Sequence, residues 1–298
     1  MSVLATMVPM ALTYAAPILL AALGGLYSER GGVVNIALEG IMMVGAFAAA
    51  AVTVALEPDP MAGYYGILAG VAAGTAFSLL HAFACIHLKA DQVVSGTALN
   101  ILAGGLTVYL CQIFFDQQRT NAFSTGIAKV MGAYPTTWLA LALVLATWFI
   151  MARTRFGLRL RACGEHPQAA ASMGVRVYRL RYAGVLISGA LAGLAGGAMV
   201  LTQDIQYSLT SVHGTGFIAL ACLIFGKWNP FGVLGAGLFF GLSQALSIYA
   251  KDIPWLRAVP SDFFFMLPYV LTVVALVVFS GKSVGPRAAG EIYDPGKR

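Results

Sequence analysis

Charge is what this sequence has least of. Asp, Glu, Lys and Arg make up 10% of its 298 residues, against 59% hydrophobic ones, whereas a soluble domain carries about 25% charged residues. An ordinary soluble domain is thereby excluded. Cysteine is scarce as well: Cys85, Cys111, Cys163 and Cys222 are scattered with neither a CxxC nor a metal-ligand spacing, so no disulfide framework or metal site is expected. Three of them lie in apolar runs, where a small polarizable side chain fills a core. His81 and His87 are six residues apart and off one helical face, which suits anchoring at a membrane interface rather than metal binding. Grouped His, Asp or Ser at a catalytic spacing is missing, so neither a membrane enzyme nor any catalytic residue is expected. Gly281-Lys282-Ser283 looks like a piece of a phosphate loop, but its required first glycine is replaced by Leu276. No cofactor is expected in this chain. The Met1 end lacks the basic stretch of a cleaved signal peptide, so the first apolar run is expected to stay.

What is there is apolar sequence in runs of about twenty residues, the length a bilayer-spanning helix requires. The expected fold is all-α, a polytopic membrane protein with residues 1–298 as a single transmembrane domain. The expected spans are Met7–Tyr27, Val33–Leu56, Gly63–Leu88, Val93–Phe115, Thr136–Ala152, Tyr182–Gln203, the short Gly214–Gly226, Phe231–Ala250 and Phe263–Gly281. That makes about nine crossings, with eight to ten allowed. Gly214–Gly226 is short for a span and must borrow length from Leu209–His213, or the helix is broken. Glycines recur every fourth residue at Gly66, Gly70 and Gly74, at Gly189, Gly193 and Gly197, and at Gly237 and Gly241; such stripes let helix backbones approach closely in lipid.

One long polar segment interrupts this pattern, Arg153–Arg181. It holds seven of the eighteen basic residues against a single acid, Glu165. Positive charge beside membrane spans stays cytoplasmic, so the net charge of +6 reads as topology and needs no nucleic-acid partner. Counting from this loop puts Ser28–Gly32 and Lys89–Gln92 inside and Glu57–Pro60 outside. If Gly214–Gly226 crosses, the tail 282–298, with Lys282, Arg287, Lys297 and Arg298, is inside too. Within the segment Pro167 suits a first helical position and Gly174 the residue after the end, which predicts a short helix between them.

The order Gly157-Leu-Arg-Leu-Arg-Ala-Cys-Gly-Glu-His-Pro-Gln-Ala-Ala-Ala-Ser-Met-Gly-Val resembles the cytoplasmic coupling loop of ABC-importer permeases, in the group that handles branched-chain amino acids, ribose and other simple sugars, and nucleosides. The resemblance implies that Gly164, Glu165, Pro167, Ala169, Ala170 and Gly174 meet the groove of a cytoplasmic ATPase subunit, which uses the ATP and magnesium. Ser28-Glu-Arg-Gly-Gly-Val-Val-Asn-Ile-Ala-Leu-Glu-Gly40 is similar to the nucleoside and simple-sugar branch, whereas the amino-acid branch lacks the acid at Glu39. Further expectations follow from that branch: a heterodimeric pore with a longer related permease, an extracellular or periplasmic binding protein that delivers substrate, lipid contact, and a home in the bacterial plasma (inner) membrane. The expected substrates are nucleosides or related simple sugars, with ribose-like sugars or branched-chain amino acids as the alternative.

Asn35 and Glu39 are four residues apart, so they are expected to share one face of a helix. An ionisable group in an apolar span faces a cavity or a partner. The pair reads as a polar clamp between helices or as lining of the path; a proton relay is the least favoured reading, since no chain of acids connects the two faces. Glu29 and Arg30 are expected to pair with each other, with the ATPase-facing loop or with lipid headgroups. Thr97, Asn100, Gln112, Ser188 and Gln244 are further polar residues inside spans, and Thr97 and Asn100 are one turn apart on the fourth. His213-Gly-Thr-Gly-Phe217-Ile-Ala219 resembles the family's segment before the Lys227–Pro230 break. The candidate path residues are therefore Asn35, Glu39, Thr97, Asn100 and Phe217. Asp204 and Gln206 are candidates for docking the binding protein. A carrier driven by an ion gradient is the competing class; it calls for more intramembrane carboxylates than the single central Glu39.

Overall fold

Among the described residues each long apolar run folds as a helix, since only a helix satisfies its backbone polar groups inside hydrocarbon without a second segment. The computed structural model describes residues 3–249, 259, 260, 263, 266, 269, 270, 273, 274, 277, 285–294 and 296. In chain order the helices are α1 (Val3–Arg30), α2 (Leu38–Leu56), α3 (Ala62–Ala82, ending in a π turn Phe83–His87), α4 (Gln92–Phe115), α5 (Pro135–Arg153), α6 (Arg155–Glu165), α7 (Pro167–Ser172), α8 (Val177–Gln203), α9 (Thr215–Phe225) and α10 (Pro230–Tyr249). Among the described residues no strand forms, and seven helices, α1 to α5, α8 and α10, are long and apolar enough to cross a membrane. The expected span Phe263–Gly281 lies largely outside the described residues, as do Lys282, Lys297 and Arg298.

Two departures from the sequence reading bear on the site. The second span begins at Leu38 rather than Val33, because residues 31–37 are irregular. The basic segment is helical almost throughout. Thr154 caps α6 by accepting the Gly157 N–H (3.2 Å), and α6 buries Gly157, Leu160, Cys163 and Gly164 at the three- and four-residue spacing of one helix face. The arginines between them had masked that stripe. The short helix appears as expected, with Pro167 at its first position and Gly174 at φ +80° just past its end.

Helix α8 is the hub, packed against α1, α2 and α3. The glycine stripes make this contact. A Cβ at Gly74 would stand 2.6 Å from the Gly193 Cα, and one at Gly45 equally close to that atom, so α2, α3 and α8 meet backbone to backbone. Gly241 brings α10 to Ala15 of α1 in the same way. The stripes serve packing within the chain, and in lipid that close contact supplies the attraction that a hydrophobic core supplies in water.

The chain has two distinct faces. One gathers the end of α1, the α3–α4 turn, α6, α7, the start of α8, the α9–α10 break and residues 285–294, through Arg30–Glu165 (3.9 Å) and Lys89–Asp294 (3.2 Å) ion pairs and an Ala288 N–H bond to the Gly164 carbonyl (2.8 Å). The other carries the 116–134 and 204–211 loops, tied by the Thr120 N–H to the Tyr207 carbonyl (3.0 Å) and the Phe123 N–H to the Ile205 carbonyl (2.9 Å). There Glu57 accepts from both the backbone N–H and the hydroxyl of Ser124 and of Thr125. These bonds, led by the Thr125 N–H, pull its carboxyl down to about 2. Arg119 and Lys129 belong to this second face, and every other described Lys or Arg to the first.

Candidate functional site

Residues 31–37 break the path between α1 and α2, and bare backbone at that depth is tolerated only when the protein supplies its partners. Four side chains do so. Ser28 Oγ donates to the Val33 carbonyl (2.6 Å), and Gln92 Oε1 accepts the Val34 N–H (2.6 Å). His81 Nε2 meets the Val34 carbonyl (3.0 Å), so that nitrogen carries the hydrogen, and its Nδ1 faces Ser95 Oγ (3.0 Å). Asn100 donates Nδ2–H to the Ile36 carbonyl (3.0 Å) and accepts the Gly40 N–H (2.8 Å) at the start of α2. His81 is therefore fully buried, a support for broken backbone rather than an interfacial anchor.

Asn35 lies in this irregular stretch and does not share a helix face with Glu39. Its Nδ2 donates to Ser188 Oγ on α8 (2.8 Å), while its buried Oδ1 has no partner. Glu39, in the first turn of α2, reaches the start of α9 instead. Oε1 accepts the Gly214 N–H and Oε2 the Gly216 N–H, both at 2.7 Å, and Glu39 as a residue is 4% exposed. A Cβ at Gly216 would lie 2.6 Å from the Glu39 Cα, so only glycine lets the two helix starts come this close. Acidic capping of a helix N-terminus is electrostatically favourable. The four N–H groups there are all used, since Thr215 donates to Val212 (2.9 Å) and Phe217 to Gly214 (3.0 Å).

The structure thus joins Asn35, Glu39 and Asn100 around one break, while the Thr97 and Phe217 side chains point outward. Phe217 is 49% exposed, and the exposed Thr97 bonds its own helix at the Val93 carbonyl (2.8 Å). The supporting Ser28, His81, Gln92 and Ser188 were hard to rank from sequence, because no periodicity marks a side chain that serves backbone far along the chain.

The far end of α9 is held at Trp228. Its Nε1–H donates to Glu29 Oε2 (2.6 Å), and its carbonyl accepts from Arg30 Nε (3.1 Å) and Nη2 (2.9 Å). Glu29 and Arg30 therefore both turn to the break after α9, and only Arg30 also faces Glu165. From Trp228 the contacts continue to the α6–α7 hairpin. Gly164 abuts the Arg30 carbonyl. Pro167 and Ala170 are buried, whereas Ala169 and Met173 are exposed. Residues 285–294 clasp the hairpin from below: Arg181 Nη1 donates to the Glu291 carbonyl (2.9 Å) and its guanidinium stacks on Tyr293 (5.8 Å to the ring centre). Burial pushes the Cys163 thiol beneath them up to about 11.

Beside the start of α9 a cavity of about 620 Å³ opens toward the face opposite the hairpin, lined by Tyr14, Asp204, His213, Thr215, Gln244 and Ser247 among others. Burial raises the Asp204 carboxyl, opposed by its bond from Ser211 and by nearby His213.

Residues 7–276 match the family model described as branched-chain amino acid transport system / permease component. Over 99% of its length the chain is 44% identical to the guanosine ABC transporter permease protein NupQ of Bacillus subtilis, 98% of which is covered. It is 40% identical to the nucleoside ABC transporter permease protein NupC of Lactococcus lactis, across 95% of the chain and 94% of that protein. The guanosine ABC transporter permease protein NupP of Bacillus subtilis is 26% identical across 90% of the chain and 79% of its own length.

Proposed function

The chain belongs to the family of permease components of branched-chain amino acid transport systems, and on that premise we propose that it is the membrane-spanning permease subunit of an ATP-driven importer of nucleosides. The observation that carries the substrate is the near-full-length identity to permeases named for guanosine and for nucleosides. The polar lining of the α9 cavity agrees with it: amide, hydroxyl and aromatic groups match sugar hydroxyls and ring heteroatoms.

The transport cycle we propose is carried by partners on both faces. A binding protein delivers substrate at the Asp204 face, where Asp204 and Gln206 are available to dock it. ATPase subunits, which use ATP and magnesium, seat α7 on the opposite, cytoplasmic face through Glu165, Ala169 and the turn at Gly174, with Gly164, Pro167 and Ala170 holding the hairpin against the spans. This chain contributes no cofactor of its own. Support comes from the chain of contacts linking that hairpin through Arg30 and Trp228 to α9, whose other end holds Glu39. Asn35, Glu39 and Asn100 keep the path in shape, and the outward Thr97 and Phe217 are available to line it where a second permease meets this one. A longer relative of the NupP kind is the proposed second permease, because NupP extends beyond the matched region. Nine crossings of the bacterial inner membrane, with the C-terminal tail cytoplasmic, account for the concentration of basic residues on the hairpin face.

The test is purification of the tagged chain from its own membranes, identification of its companions by mass spectrometry, and reconstitution of the recovered complex in liposomes. ATP-dependent uptake of labelled guanosine, unaffected by collapse of ion gradients, is the expected result. A chain recovered without an ATPase, or uptake that follows a proton gradient, overturns the reading.

A further inference from the structure

Seven arginines lie between Arg153 and Arg181 with one acid among them, and that acid, Glu165, faces Arg30. Orientation in the membrane requires positive charge on this face, but it does not require the charges to be gathered at one point. Three of the seven converge nonetheless. Arg159 of α6 and Arg176 and Arg179 at the start of α8 line a pocket of about 320 Å³, completed by Gly174, Val175 and Leu180. No acid lines it. The two ion pairs of this face use none of the three arginines, and their guanidinium groups bond to no described residue. Like charges brought together repel, so the cluster is short of an anion. Guanidinium forks match the oxygens of a phosphate in pairs. The wall is also low on one side: at Gly174, with φ +80°, a Cβ would meet nothing within 4 Å.

Position selects the source of that phosphate. Helix α5 ends at Arg153 and α8 begins at Val177, so Arg176 and Arg179 stand at the root of a span, where lipid headgroups lie. Val175 and Leu180 give the pocket an apolar border suited to a glycerol backbone. A second groove, lined by Leu158, Ala162, Ala169 and Met173 among others, runs along the α7 surface proposed for the ATPase, and that seat meets the pocket only at the Gly174 turn. We propose that the pocket binds the phosphate of an anionic phospholipid of the adjacent leaflet, gripped by Arg159 from one element and by Arg176 and Arg179 from another. A lipid so held ties α6 to the root of α8 and steadies the hairpin against the membrane. The site does not depend on which solute the chain carries.

The full chain is purified in a neutral detergent, where no charged surface gathers lipid, and titrated with phosphatidylglycerol or phosphatidylcholine; native mass spectrometry counts the lipid bound. Phosphatidylglycerol is expected to bind ahead of phosphatidylcholine, whose choline cation meets the arginines. An arginine beside an anionic lipid contributes about five-fold. Arg176→Gln/Arg179→Gln is therefore expected to weaken phosphatidylglycerol binding by about ten- to thirty-fold, and Arg159→Gln by about five-fold. Arg153→Gln/Arg155→Gln removes the same charge from exposed positions outside the pocket and is expected to leave binding nearly unchanged. All five arginines are exposed, so each variant is expected to unfold at the same point as the parent chain. Equal losses in the two double variants mean diffuse attraction and overturn the site. Release of the lipid by millimolar inorganic phosphate assigns the pocket to a soluble anion and overturns the lipid. Pocket variants that keep their lipid but weaken ATPase binding in phosphatidylcholine nanodiscs make an acid of that subunit the occupant, and the proposal fails.

Discussion

Replacing Asn100 with leucine removes two hydrogen bonds and almost no volume. The bonds hold opposite sides of the break before α2: the Gly40 N–H at 2.8 Å and the Ile36 carbonyl at 3.0 Å. The two groups are four residues apart and would pair with each other if the helix reached back that far, but α2 starts only at Leu38, so here Asn100 bonds both in place of that turn. An orphaned buried polar group costs about 1–3 kcal/mol, which sets an upper range of roughly 2–6 kcal/mol for the pair. Side-chain bonds between membrane helices average only about 0.6 kcal/mol, because a chain unfolded within the bilayer also finds partners. Backbone groups in an irregular stretch have fewer such alternatives, so the expected loss for Asn100→Leu is about 2–3 kcal/mol. Thr97→Val is the matched control: one turn away on the same helix, its hydroxyl is exposed and bonded to its own backbone. The assay is reversible unfolding of the purified permease in mixed micelles with increasing dodecyl sulfate. If Asn100→Leu unfolds at the same point as Thr97→Val, the account of the break as held by side chains is wrong.

Gly193→Ala is expected to destabilise by about 1–3 kcal/mol in the same assay, because its Cβ would meet the Gly70 carbonyl and the Gly74 Cα; Gly105→Ala, with no described atom within 4 Å, is expected to be neutral or stabilising. Glu57 titrates at about 2, below its ordinary 4.5, so its hold on Ser124 and Thr125 is complete above pH 4.5 and is lost as the pH falls toward 2. Proteolysis around residues 120–126 is therefore expected to accelerate across that window, and Glu57→Gln to be fast already at pH 7; an unchanged rate in both conditions refutes the assignment. Tyr293→Ala removes the ring beneath Arg181, a contact of about 1–2 kcal/mol when desolvated, and is expected to raise hydrogen exchange in residues 165–174 roughly ten-fold, with little change in α2.

Much of this molecule was readable from residue order. Seven spans, the short helix at Pro167, the break near Gly214 and the packing use of the glycine stripes all follow from rules local to one segment: run length, Pro and Gly positions, and fourfold spacing. The irregular backbone at 31–37 did not. Val33, Val34 and Ile36 look like the start of a span, and only the arrival of His81, Gln92 and Asn100 from other helices makes an unwound stretch affordable there. Helix α6 was concealed for the opposite reason, since its arginines point away from a narrow stripe of Gly157, Leu160 and Cys163. Glu39 was conspicuous as the acid of an apolar span, yet its partners are backbone amides some 175 residues away, and no side-chain pattern announces those.

The clasp of residues 285–294 has a bearing on how the protein is made. These residues leave the ribosome after every described helix, and their contacts run back to Lys89, Gly164 and Arg181. The underside of the α6–α7 hairpin is therefore completed only once all the spans that precede the clasp have been synthesised. A chain stalled in mid-insertion displays the arginine-rich hairpin without its support. Biogenesis thereby acquires a natural order, in which the surface fit for assembly is finished last.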